Sequence, residues 1–265
     1  MTLVTTEQAP PDVAAAAHTA PSPVRIKVEG LSKRFDKVLA VDAIDFAVPA
    51  GSFTALLGGN GAGKTTTIAM LLGLVQPSAG RIEILGHDLA RAPHAALRAM
   101  NFQSPYADLP RRLTVRQNLN VYGRLYGVRH IRERIDELAA ALDLKTLLDR
   151  PLGELSAGQR TRAGIAKAFI NTPSVILLDE PTASLDPDTA DWVRTYLAQY
   201  ARDANATFLI ASHNMQEVER LCDQVLMMRF GRIVDRGSPK ELLIRYGRTN
   251  LEDVFLDVAR DRRAP

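Results

Sequence analysis

The chain of 265 residues contains a single cysteine, Cys222. No internal disulfide is possible, so a packed core must carry the fold. Cys222 sits in Glu219-Arg220-Leu221-Cys222-Asp223, which reads as a helix end, and a buried, inert thiol is expected there. No apolar run approaches the ~18–20 residues of a membrane span. The longest, such as Val175 to Leu178, are strand-sized. Any membrane role would therefore come through a partner. Net charge is only +3, too small an excess to argue for nucleic acid. Residues 1–23 have no Lys or Arg and no apolar centre, so they do not read as a signal peptide. Rich in Ala, Pro and Thr, they are expected to be a disordered tail. Together these absences predict a soluble protein of a reducing compartment.

What is present is a 46% apolar composition, enough for a normal core, at a length suited to one α/β domain with an inserted subdomain. Val24 to Gly30 and Val38 to Val48 read as strands. Phe53 to Leu57 is a short apolar run that stops at Gly58. Ile68, Leu71, Leu72 and Val75 then keep helical spacing. Residues ~88–160 change character and read as an inserted helical subdomain. Thr114 to Gln117 forms a capping-box start. Val115, Leu119, Tyr122 and Tyr126 keep one helical face, and Ile131, Ile135, Leu138 and Leu142 another. Between 91 and 150 there are eleven Lys/Arg against six Asp/Glu. A solvated basic face is the plain reading; a surface near anionic headgroups or a partner's loop, around Arg111 and Arg112, is the sharper one.

From Gly158 a helix is expected to about Ile170, followed by a buried strand at Val175 to Leu178. Trp192, Val193, Tyr196, Leu197 and Tyr200 mark another amphipathic helix. Strands follow at Thr207 to Ala211, Gln224 to Phe230 and Arg232 to Asp235. Ser238 to Glu241 caps a short helix, and a last helix covers roughly Leu251 to Ala259. Alternating strands and helices argue for a mostly parallel sheet covered on both faces.

Three stretches carry chemistry. Gly58-Gly59-Asn60-Gly61-Ala62-Gly63-Lys64-Thr65 fits the phosphate-loop pattern G-x-x-x-x-G-K-[ST], and it lies between a strand and a helix. Glycines let backbone N–H groups close on phosphate oxygens, Lys64 supplies a point charge, and Thr65 offers a hydroxyl to Mg²⁺. Val175 to Leu178 is followed by Asp179 and Glu180. A buried strand ending in two acids places Asp179 to hold Mg²⁺ and Glu180 to take a proton from, or orient, water. Alone, the pair is an ordinary acidic turn closed by Pro181; downstream of the loop it is a candidate site. His213 follows a further core strand, on the edge where the phosphates would sit.

The ordered set resembles the nucleotide-binding subunit of an ABC transporter. The Walker A loop matches Gly58–Thr66, the Q-loop Gln103, and the signature Leu155-Ser156-Ala157-Gly158-Gln159. The Walker B strand matches Val175–Asp179, the catalytic glutamate Glu180, the D-loop Ser184-Leu185-Asp186 and the switch histidine His213. The resemblance covers about 24–258, leaving 259–265 as a tail. It implies an α/β P-loop NTPase of the ABC type. Such a fold has a mostly parallel core sheet, an antiparallel β subdomain and an inserted helical subdomain. It implies ATP and Mg²⁺ as cofactors. Phe35 would stack on adenine, and Gly58, Gly59, Asn60, Gly61, Ala62, Gly63, Lys64, Thr65 and Thr66 would wrap the phosphates. Thr65, Gln103 and Asp179 would serve the metal, with Gln103 also at the attacking water. Ser156, Gly158 and Gln159, at a helix N-terminus, would read the ATP held by a second copy or a paralogous ATPase. His213 would contact the γ-phosphate, and Asp186 would lie across the dimer interface.

Gly59 stands where the family commonly has Pro, Phe35 where Tyr is more usual, and Ala157 replaces the second signature glycine, putting a methyl near the phosphate. The resemblance places the chain at the cytoplasmic face of the cell membrane, docked on a transmembrane permease and not on nucleic acid. About thirty residues follow Asp235, without the longer β-rich extension of many importers, and Asn250 to Leu256 resembles exporter ATPases. Export is therefore expected, with an importer ATPase or a non-transport ATPase acting on ribosomes or DNA as alternatives. Lys64 and Ser156 lie 92 positions apart with no heptad array between them. That disfavours the DNA-repair members, and a single cassette disfavours the ribosomal ones. A P-loop kinase would lack the signature.

Overall fold

The computed structural model describes residues 24–104, 109–182 and 185–260. The expected tail at 1–23, residues 261–265, part of the stretch after Gln103 (residues 105–108) and Ser184 of the D-loop lie outside the described residues. In chain order the elements are β1 (Val24–Phe35), β2 (Val38–Pro49), β3 (Phe53–Leu57), α1 (Lys64–Leu71), β4 (Ala79–Ile84), β5 (His87–Asp88), α2 (Pro93–Leu97), β6 (Met100–Gln103), α3 (Val115–Leu125) and α4 (Ile131–Ala141). Then come α5 (Ala157–Ala168), β7 (Val175–Asp179), α6 (Pro187–Ala204), β8 (Thr207–Ser212), α7 (Met215–Leu221), β9 (Gln224–Arg229), β10 (Arg232–Gly237), α8 (Pro239–Tyr246) and α9 (Leu251–Ala259).

Two sheets result. An antiparallel one has the order β2-β1-β4-β5, and the other has the order β10-β9-β3-β8-β7-β6. In the second, β9, β3, β8, β7 and β6 run parallel and β10 closes one edge antiparallel. β3 and β8 are buried along their whole length, as a strand covered on both faces must be. Side chains of β3, β7, β8 and β9 alternate between two cores. Leu56, Leu177, Leu209 and Leu226 join the core shared with the antiparallel sheet and α1. Leu57, Leu178, Phe208, Ile210 and Val225 join the core under α3 to α9. Phe53 and Phe208 stack at 4.4 Å between ring centres within the latter. Cys222 is buried there, and burial pushes its thiol pKa up, in line with an inert cysteine.

Several boundaries differ from the expectation. β1 does not stop at Gly30: the residue sits at φ +54 beside a register shift, and its N–H donates to Asp45 Oδ1 at 2.7 Å. Gly30 is thus an irregularity inside a longer strand, fixed by pairing to β2. α1 ends at Leu71, before the Val75 end of the apolar stripe, because Gly73 at φ +69 turns the chain. The stretch ~88–160 is not helical throughout. It supplies β6, a sheet-edge strand paired to β7 with Gln103 opposite Leu178. At four residues β6 is too short to show a period; it is held partly by buried Asn101, whose Nδ2 donates to Ala168 O at 2.6 Å. Beyond it come α3 and α4. The Thr114/Gln117 capping box opens α3, and Arg134 on α4 donates to Phe169 O at 2.7 Å, tying α4 to the end of α5.

Candidate functional site

Parallel strands bring their C-terminal ends to one edge, where open α/β sheets bind ligands. Here Leu57 stands opposite Ser212, Asp179 opposite Ala211, and Gln103 opposite Leu178. The phosphate loop, the acidic pair, the histidine and the Q-loop residue therefore leave neighbouring strands on one side of the sheet.

The loop from Gly58 to Gly63 joins β3 to α1. Gly63 has φ +104, and a Cβ on it would lie 2.7 Å from Ala40 O, so only glycine fits without moving β2. Gly63 is also the N-cap of α1 and supplies no side-chain cap, and the first turn of α1 carries no acid. The first N–H groups of α1 thus face the loop with the positive end of the helix dipole behind them. Lys64 Nζ donates to Gly58 O at 2.5 Å and Gly59 O at 3.2 Å. Burial lowers the Lys64 pKa, while Glu180 and Asp179 act to raise it. Gly59, Asn60, Gly61 and Thr65 are exposed, with Ala62 buried beneath them and Thr66 half-buried.

Asp179 ends β7 half-buried. Burial and neighbouring Glu180 push its carboxyl pKa up, while Lys64 and a hydrogen bond from the Ser104 side chain pull it down. Glu180 has φ +50, an uncommon conformation for a non-glycine residue, fixed by its N–H donating to Ala211 O at 2.9 Å. Its Oε1 lies 2.6 Å from His213 Nδ1 and accepts the His213 backbone N–H at 3.0 Å. The expected base and the expected switch histidine are therefore a hydrogen-bonded pair, with His213 72% exposed at its side chain.

Gln103 has a different setting from the one expected. It is buried, its Nε2 donates to Ser104 O at 3.2 Å, and its amide packs against Gly164 of α5, where a Cβ would lie 2.5 Å from Nε2. The side chain bonded to Asp179 is that of Ser104. β6 thus seats its last residue on the signature helix and presents the next one to the acids, a one-residue alternation that the sequence alone did not resolve. Phe35 is 45% exposed at the end of β1, with Lys33 Nζ 4.8 Å from its ring centre.

The signature forms the start of α5. Ser156 is the N-cap: its Oγ accepts from Gln159 N at 3.2 Å, while Gln159 Oε1 accepts from Ser156 N at 3.0 Å, a closed capping box. Ser156 and Ala157 are exposed, and Gly158 faces Thr189 of α6. Asp186 caps α6 by accepting from Thr189 N at 2.9 Å, and backbone bonds hold its carboxyl pKa down.

Glu217 was not singled out by the sequence. It is 1% exposed on α7 and accepts from Thr182 Oγ1 at 2.8 Å and Ser212 Oγ at 3.0 Å. Burial pushes its pKa up against those two bonds. A glutamate four residues after a histidine is an ordinary helix-start acid, so nothing in its spacing marks it.

The donors at this edge are hard oxygens: the Thr65 hydroxyl, the Asp179 carboxylate and the Ser104 side chain. Such a set suits a Mg²⁺ carried in with phosphates. Among the described residues no cluster of three or more His, Cys, Asp or Glu could cage a metal by itself.

Residues 41–183 match the ABC transporter family. The chain is 36% identical over 234 residues to a Nod factor export ATP-binding protein I of Ralstonia nicotianae, covering 88% of this chain and 73% of that protein. It is 35% identical over 236 residues to the daunorubicin resistance ATP-binding protein DrrA3 of Streptomyces coeruleorubidus, covering 87% and 73%. Among solved structures, the ATP-binding subunit of an ABC transporter superposes with a TM-score of 0.82 at 26% identity, covering 89% of this chain and 99% of that one. The cbiO1 subunit from Clostridium perfringens, part of the ABC transporter complex cbiONQ, gives 0.75 at 30%, covering 84% and 92%. A phosphate loop, an acid pair and a histidine on one sheet edge agree with these matches: the chain belongs to the ATP-binding, ATP-hydrolysing subunits of ABC transporters.

Proposed function

We propose that this chain powers export through a separate membrane-spanning permease, by ATP-dependent head-to-tail pairing of two copies or of one copy with a paralogous ATPase. The named relatives act in Nod factor export and daunorubicin resistance, which supports the direction. Among the described residues no helix is long and apolar enough to cross a membrane, so in this reading the span belongs to the permease. The chain then sits at the cytoplasmic face.

The observation that carries the reading is the Glu180–His213 pair beside the Gly58–Thr65 loop. Residues 58–66 hold the triphosphate, and Phe35 stacks on adenine. Thr65 and Asp179 hold Mg²⁺, which when bound neutralises phosphate charge. Gln103 would have to leave Gly164 to join them. Oε1 of Glu180 is occupied by His213, so the other oxygen orients and deprotonates the attacking water. His213 Nε2 remains to meet the γ-phosphate. Ser156, Gly158 and Gln159 complete the partner copy's site.

Glu180→Gln should bind ATP normally and lose hydrolysis by about a hundredfold or more, measured by phosphate release. Hydrolysis at the unmutated rate would refute the base assignment. Arg111 and Arg112 are exposed on the helical insert and would face the permease. Reversing both charges should weaken co-purification with the permease without changing ATP binding; normal assembly would exclude this contact.

A further inference from the structure

The unequal surroundings of the two Glu180 carboxylate oxygens expose a role for a residue outside the described machinery. Oε1 is held twice, by His213 Nδ1 at 2.6 Å and by His213 N at 3.0 Å. Among the described residues, the donor recorded near Oε2 is the Ser212 hydroxyl at 3.5 Å. That hydroxyl owns a single proton, and its oxygen already accepts from Asn214 N at 3.0 Å. A nearer acceptor, Glu217 Oε2, lies 3.0 Å away. One proton cannot serve both carboxylates, so it goes to the nearer, Glu217. Thr182 Oγ1, donating to the other Glu217 oxygen at 2.8 Å, fixes the rotamer from the opposite side. Thr182 lies two residues after Glu180, and Ser212 one residue before His213. One buried carboxylate thus bridges the two backbone segments that carry the pair.

We infer that Glu217 is a positioning residue for hydrolysis: it draws the Ser212 proton away from Glu180, so that Glu180 Oε2 stays open to accept a proton from water. The inference rests on Glu180 being the base. Without an acceptor at 217, the Ser212 hydroxyl turns to Glu180 Oε2. A donated hydrogen bond there occupies the lone pair that would take the proton from water. The binding loop is built by other residues, so the loss should fall on kcat and not on KM.

The test uses the purified full-length chain and steady-state ATP hydrolysis. Glu217→Leu, which removes the acceptor, should lower kcat about tenfold with KM for ATP little changed, and the lost Thr182 and Ser212 bonds should lower the melting midpoint. Adding Ser212→Ala removes the capping hydroxyl and should restore most of the lost kcat. Glu217→Gln can turn its amide donor to Ser212 and should show a smaller loss, also suppressed by Ser212→Ala. It replaces the Leu variant if that one does not fold. An unchanged kcat, or a double variant as slow as the Glu217 single variant, overturns the inference. A residue that only packed the core would lower kcat along with the melting midpoint, and Ser212→Ala would give no rescue. If Glu180→Gln hydrolyses ATP normally, the base assignment itself is wrong. If Glu180→Gln is dead and Glu217→Leu is not, only the role of Glu217 falls.

Discussion

Two helix N-termini in this protein are suited to phosphate, and they are built in opposite ways. At α1 the N-cap is Gly63, in a left-handed conformation and with no side chain to offer. The first N–H groups stay available, and a cation, Lys64, stands in the first helical position. At α5 the N-cap is Ser156, and its hydroxyl and N–H are both engaged with Gln159. The first terminus is open and needs a ligand to satisfy its donors; the second has satisfied part of its own. A phosphate at α1 completes a site, whereas one at α5 must compete with a capping box. In the proposed reading, ATP capture falls to the loop and a weaker, later contact, made on pairing with another copy, to the signature.

Substitutions at the two termini should separate accordingly. Lys64→Ala should have the largest effect, lowering ATP affinity by on the order of a hundredfold, since charge-assisted contacts to phosphate are the strong ones. Titration with a fluorescent ATP analogue reads this directly, and near-normal binding would remove the distinction between the termini. Ser156→Ala should leave ATP binding by the single chain unchanged. It should weaken ATP-dependent pairing about tenfold and cost about 1 kcal/mol of stability through the lost cap. A loss of ATP affinity in the isolated chain would mean that the signature reads the ATP of its own copy. Ala157→Gly, which restores a glycine where the family has one, should be smallest. Ala157 is exposed at the first helical position, so its methyl affects only what approaches from outside. A shift in pairing of about threefold or less is expected, readable by analytical ultracentrifugation; a large gain would show that the methyl obstructs the partner's phosphate.

Legibility in the sequence follows the same division. The loop, the acid pair and His213 could be read because each sits at the end of a strand whose four or five apolar residues announce it. The sheet edge then brings them together without further information. The box at Ser156 and Gln159 was readable as a helix start, but its closure on itself was not, because a serine at an N-cap bonds equally well to its helix or to a ligand. That Ser104 and not Gln103 bonds to Asp179 was not legible, because β6 is too short to reveal which of two neighbours faces it. Gly30 misled as a strand end because a glycine looks the same in a turn and in an irregular strand. Glu217 escaped because its partners, Thr182 and Ser212, come from two other segments and meet only in the fold.

In the proposed pairing, the open loop of one copy and the capped helix of another form one site. Light scattering on Glu180→Gln with Mg²⁺ and saturating ATP tests it most directly. The mass should rise from 29.0 kDa to that of a dimer. Adding Ser156→Arg should abolish the rise while ATP still binds. A Glu180→Gln chain that stays monomeric with ATP bound, or a dimer that survives Ser156→Arg, would contradict the account.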